Sequence, residues 1–81
     1  MSEPSDGMAV RHRRLREILE YVMREGPGVS TEAIIGRLYA RHGGRLVTLR
    51  GYVAELHQLG FLRSEKDGWH TTARAKEFFV R

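Results

Sequence analysis

The chain contains no cysteine, so neither a disulfide nor a thiolate-bound zinc ion holds it together. No apolar run approaches the roughly 20 residues that cross a bilayer. The opening MSEPSDGMAV is polar and acidic, unlike the basic-then-apolar plan of a secretory signal. These absences lead us to expect a soluble cytoplasmic protein whose fold rests on packing alone. Internal repeats and low-complexity segments are absent as well. So are the constellations that chemistry requires. His12, His42, His57 and His70 are scattered without metal-ligand spacing, no His-Glu-x-x-His pattern occurs, and Gly43-Gly44 is too short to cradle a phosphate. The expectation is a non-enzyme with no cofactor, no metal and no evident small-molecule ligand.

What is present fits one small folded unit. Eighty-one residues support a single hydrophobic core, and 41% hydrophobic with 30% charged residues are ordinary globular proportions. The charge is uneven. Fourteen Lys and Arg against ten Asp and Glu give a net +4, and residues 1–10 hold two acids and no base, so the remaining 71 residues carry 14 minus 8, or +6. Such a bias favours polyanionic partners. Twelve of the bases are Arg, whose planar fork pairs bidentately with phosphate or guanine.

Residues 1–10 show no periodicity and are expected to be a flexible leader, with the folded domain spanning 11–81 and order beginning near Val10 or Arg11. Leu15, Ile18, Leu19, Val22 and Met23 then fall on one face of a first helix, which Gly26-Pro27-Gly28 stops. After a short extended stretch at Val29, either Ser30 or Thr31 caps a second helix, whose apolar face is Ile34 or Ile35 with Leu38 and Tyr39 and which ends near His42 at Gly43-Gly44. Thr48 reads as the cap of a third helix over about 49–59, with Leu49, Val53, Leu56 and either Tyr52 or Leu59 inward and Gly60 at its end. The period then changes: Phe61 to Glu65 and Trp69 to Thr71 are β-favouring arms around Lys66-Asp67-Gly68, a hairpin signal. Thr72 is placed to cap a last short helix containing Ala75, Phe78 and Phe79. The fold class predicted is mainly α, a three-helix core with a small β-hairpin wing and a short C-terminal helix.

That order of elements, and the phrase LRGYVAELHQLGFLRSEKDGWHTTARAKEFF at residues 49–79, resembles the winged helix-turn-helix family of DNA-binding domains of the prokaryotic transcriptional-regulator type. In the family a recognition helix ends in Leu-x-x-x-Gly, an apolar strand follows, a charged wing turns at Gly, and a Thr-led helix closes the domain. The resemblance covers about seventy residues. It implies binding of double-stranded DNA, with the third helix in the major groove, the second helix across the backbone and the wing at residues 63–69 on phosphate or the minor groove. Carried over, Thr48, Arg50 and Gly51 are the outward positions at the start of the third helix, with Ala54 one turn later. Arg50 is then the chief base reader. Gly51 departs from the polar side chain usual there, and Ala75 stands where the family often has Gly.

Helix geometry by itself also places Arg45, Arg50, Arg63 and Lys66 off the apolar face and free for phosphate. Arg11, Arg13, Arg14 and Arg16 open the first helix, and Arg37 and Arg41 lie one turn apart on the second. Each such cluster is as readily a solvated surface, and a DNA surface requires that they converge on one side. Glu55 and Glu65 fall near the expected face, where they repel phosphate or accept from cytosine. Trp69 is expected to tie the hairpin to the core in preference to stacking on a base. The ending Phe78-Phe79-Val80 favours a homodimer through the terminal helices. A protein-interaction module of a larger assembly, or an RNA binder, is the alternative, and an apolar exposed patch on the third helix is the feature that distinguishes the former.

Overall fold

A computed structural model describes the backbone of residues 6–26 and 28–80 and the side chains of residues 9–26 and 28–77. The apolar spacing of the first third of the chain closes into α1 (Asp6–Glu25), and Leu15, Ile18, Leu19 and Val22 on one stripe are all buried. The helix starts four to five residues before the expected point near Val10, so residues 6–10 of the expected leader are helical. Residues 1–5 and the expected breaker Pro27 lie outside the described residues.

α2 (Thr31–His42) opens as a capped helix should. Ser30 is extended, and its hydroxyl accepts from the Ala33 N–H at 3.0 Å, which satisfies one of the free donors of the first turn. Ile34, Ile35 and Leu38 face inward, and Gly43 ends the helix. Tyr39 does not join them: it is 54% exposed, because it lies beyond the edge of the buried stripe.

α3 (Leu46–Gln58) begins three residues earlier than expected. Its N-cap is Arg45, which makes no side-chain capping bond, and Thr48 is inside the first turn and is not the cap. Leu49, Val53 and Leu56 bury their side chains as the spacing required, whereas Leu59 is exposed.

The chain then reverses through an antiparallel hairpin, β1 (Leu62–Glu65) and β2 (Gly68–Thr71), in the register Leu62 with Thr71, Arg63 with His70, Ser64 with Trp69 and Glu65 with Gly68. The connection is Lys66-Asp67. Neither residue has positive φ, so this is not the type I′ turn that an Asp-Gly signal usually marks. Gly68 belongs instead to a close backbone crossing. Trp69 exchanges backbone hydrogen bonds with Val29, its N–H donating at 2.8 Å, so that Val29 lines the free edge of β2. At φ +130° a Cβ on Gly68 would lie 2.7 Å from both Gly28 C and Val29 O, a position only glycine fills.

Side chains lock this arrangement. The Trp69 indole N–H donates to Thr31 Oγ1 at 2.7 Å, and its ring meets the His57 ring edge-on with centroids 5.2 Å apart. The indole therefore ties the hairpin to α2 and α3. Finally α4 (Ala73–Val80) is anchored by Thr72, whose hydroxyl donates to Gly60 O at 2.6 Å and accepts from the Ala75 N–H at 3.3 Å. Ala75 is fully buried, and the Arg74 guanidinium lies 5.4 Å from the centre of the Phe61 ring. The result is a three-helix core carrying a two-stranded hairpin and a short closing helix. The side chains of Phe78, Phe79 and Val80, on which the expected dimer contact rests, lie outside the described residues. No helix among the described residues is long and apolar enough to cross a membrane.

Candidate nucleic-acid interface

Because Leu49, Val53 and Leu56 point to the core, the 100° step between helical residues turns Val47, Gly51, Ala54 and Gln58 directly outward on α3. Thr48 and Arg50 stand on opposite flanks of that ridge, both exposed, and Arg45 precedes it at the helix start. A Cβ added to Gly51 would meet nothing within 4 Å, so the ridge is bare backbone at that point. Leu46 and Val47 are 52% and 72% exposed, which puts apolar surface beside the arginines. Arg50 borders an open groove of about 570 Å³ between α2 and α3, shared with Glu32, Ile35, Gly36, Tyr39, Gly44 and Leu46.

The only carboxylate on α3 is Glu55, and it is engaged. The Arg11 guanidinium pairs with both its oxygens, Nε donating to Oε1 at 3.1 Å, and so ties α1 to α3. Glu55 therefore presents a compensated charge to any ligand of α3. On the hairpin, Arg63 Nε donates to Glu65 Oε2 at 2.7 Å along the same strand. Lys66 is exposed at the turn beside Asp67, and the Asp67 carboxylate is 2.7 Å from His70 Nε2. The hydrogen bond from the His70 ring holds the Asp67 carboxyl below its ordinary value, against the opposing effect of desolvation. The start of α3 and the hairpin carry four exposed cations, Arg45, Arg50, Arg63 and Lys66; the hairpin also carries Glu65 and Asp67, and Glu32 lines the α2–α3 groove with Arg50.

Arg37 and Arg41 are elsewhere. Relative to the buried stripe of α2 they occupy the flank opposite Glu32 and Tyr39, and they face α1. The Arg37 guanidinium lies 5.2 Å from the centre of the Tyr21 ring, and Arg41 Nε is 2.8 Å from Glu17 Oε2. With Arg13, Arg14, Arg16 and Arg24 they line a groove of about 620 Å³ between α1 and α2. The eight residues expected to touch DNA therefore divide: Arg45, Thr48, Arg50 and Gly51 lie at or on α3, Arg63 and Lys66 on the hairpin, and Arg37 and Arg41 in the α1–α2 groove. Arg24 was missed from the sequence although its signal was there: Arg13, Glu17, Glu20 and Arg24 recur at i, i+4, i+7 and i+11, one face of α1.

Comparison with known proteins adds no relative: no family model matches the chain, and no curated protein or solved structure matches it.

Proposed function

We propose that the domain binds double-stranded DNA with the N-terminal half of α3 directed into the major groove and the hairpin turn against the backbone, as a transcriptional regulator or a general DNA-binding protein. One observation carries the reading: the outward ridge of α3 is bare at Gly51 and Ala54 and bordered by Arg45, Thr48 and Arg50, and the helix's single carboxylate, Glu55, is already paired with Arg11. Thirteen residues make a helix of about 20 Å, and a bare ridge suits the close approach that a groove about 12 Å wide demands. Arg50 then reads or brackets bases, Thr48 contributes a hydroxyl, Val47 supplies an apolar contact for a thymine methyl, and Lys66 meets phosphate.

The test is fluorescence anisotropy on a random 20-base-pair duplex across a salt series, with single-stranded DNA and duplex RNA as competitors. Arg45→Ala/Arg50→Ala should weaken duplex binding while leaving the thermal midpoint unchanged. Retention of wild-type affinity by this variant refutes the assignment of α3. A second reading is favoured by the exposure of Leu46, Val47 and Tyr39 on the same side, which fits a protein partner. Tyr39→Ser/Leu46→Ser separates the two, since it would abolish capture of a protein partner and change DNA affinity little.

A further inference from the structure

The groove between α1 and α2 accounts for the whole net charge of the chain. It is lined by six arginines, Arg13, Arg14, Arg16, Arg24, Arg37 and Arg41, against Glu17 and Glu20, a net of +4, and the entire chain also carries +4. The rest of the sequence therefore holds eight bases and eight acids and sums to zero. The basic pole of this domain is the α1–α2 groove and not the α3 surface.

The carboxylates of the groove lie within ion-pair distance of bases, although Glu17 Oε2 is buried without a hydrogen-bond partner among the described residues. Glu17 holds Arg41 at 2.8 Å through one oxygen and the His42 ring at 2.8 Å through the other, and Glu20 pairs with Arg16 at 3.6 Å. Arg13, Arg14, Arg24 and Arg37 are left with no carboxylate partner among the described residues. Arg37 stacks on Tyr21, and its Nε is buried without an acceptor among the described residues.

The layout argues for a chain of phosphates over a single one. Arg13 and Arg24 are eleven residues apart on α1, which at a rise of 1.5 Å per residue is about 16 Å, and Arg37 adds a cation from the facing helix. Converging arginines would grip one phosphate. A row about 16 Å long follows several successive backbone phosphates of a nucleic acid strand, which advance about 3.4 Å each along the duplex axis.

We propose that the α1–α2 groove is a phosphate-backbone site for duplex nucleic acid, separate from α3, so that one domain can hold two duplex segments. The groove site stands on its own charge and geometry, and only the bridging of two segments rests on the α3 reading as well.

The experiment uses the full chain and three proteins: wild type, Arg13→Gln/Arg24→Gln in the groove, and Arg45→Ala/Arg50→Ala on α3. Arg13 and Arg24 are exposed and unpaired among the described residues, so the groove variant should melt with the wild type. Anisotropy with a 20-base-pair duplex should show at least about a fivefold loss for the groove variant, and a logarithmic salt slope shallower by about 1.8, at about 0.9 per phosphate contact removed. Duplex-coated beads should capture a second, labelled duplex through the wild type and through neither variant. Wild-type affinity and slope in the groove variant overturn the proposal, whatever α3 does. A loss in the groove variant with none in the α3 variant upholds the groove and refutes the α3 reading. Binding of phosphatidylserine vesicles that depends on Arg13 and Arg24, with duplex binding unaffected, also overturns it. Inorganic phosphate at millimolar concentration should compete only weakly, and full displacement by it would reduce the groove to a single-phosphate site and overturn the duplex assignment.

Discussion

A glycine in the middle of an exposed helix costs stability relative to alanine, and Gly51 is such a residue. It lies in the sixth position of α3, exposed, and a Cβ there meets nothing within 4 Å. Alanine at an interior helical position is favoured over glycine by about 0.8–1.0 kcal/mol. For a domain of this size each kcal/mol moves the thermal midpoint by about 4–8 °C. Gly51→Ala should therefore raise the midpoint by about 4–8 °C, seen by circular dichroism at 222 nm. If α3 enters the major groove with its backbone against the duplex, the same methyl group crowds that contact. Overfilling a close-packed contact costs about 1–3 kcal/mol, so the duplex Kd should rise by a factor of at least about five. The paired control is Gly36→Ala on α2, also exposed with open space around it, which should bring the same stability gain without touching the α3 ridge. A lower midpoint for Gly51→Ala would refute the geometry of α3. A higher midpoint with the Kd unchanged within twofold would refute its close approach to DNA.

The opposite sign is expected at Gly68, where alanine combines an unfavourable positive φ with a Cβ 2.7 Å from the Gly28–Val29 backbone. Backbone strain and overpacking together should cost about 3 kcal/mol and lower the midpoint by more than about 10 °C; a loss under about 1 kcal/mol would mean the crossing is not rigid. Ser30→Ala removes the bond to the Ala33 N–H and should cost about 1 kcal/mol, read as a lower urea midpoint at unchanged m-value. The Asp67 carboxyl, held low by His70, favours the folded state above the ordinary carboxylate range, and that contribution fades as pH falls through the depressed native value. In a carbon-detected NMR titration the Asp67 carboxyl should titrate at higher pH in His70→Ala, which removes the donor, than in the wild type, and identical curves would exclude the hydrogen bond as the cause.

The elements that the sequence made legible are those whose side chains reach the core. Leu15, Ile18, Leu19 and Val22, then Ile34 and Leu38, then Leu49, Val53 and Leu56 repeat at three and four residues because each set faces the same interior. Helix ends remote from the core carry no such signal. The first turn of α3 presents Leu46 and Val47 to solvent, so its apolar residues look like loop, and Thr48 takes on the appearance of a cap that the structure gives to Arg45. The same holds for residues 6–10, which are helical by continuation of α1. That Ser30 or Thr31 caps α2 was legible because a cap is a local event, a hydroxyl and an N–H three residues on, and the structure selects Ser30. Direction of charge was the hardest to read. Arg37 and Arg41 are one turn apart and clearly share a face, but which neighbour that face meets depends on how α2 crosses α1.

That crossing sets what the two surfaces can do together. α2 separates them: one flank, with Glu32, Gly36 and Tyr39, borders the groove that holds Arg50, and the other, with Arg37 and Arg41, borders the groove that holds Arg13 and Arg24. A helix with its side chains is about 10 Å across, so a straight duplex seated on α3 does not also run through the α1–α2 groove. The two surfaces also differ in the kind of interaction they offer. The α3 and hairpin side is nearly balanced in charge and carries exposed apolar and small residues, a composition that rewards shape and base-edge contact and has a shallow salt dependence. The α1–α2 groove has charge in excess and no helix ridge to insert, a composition that rewards phosphate without regard to sequence. On the two proposals made here, sequence preference and salt sensitivity therefore reside in different arginines, and a variant that flattens the salt slope should leave the preference for one duplex sequence over another intact.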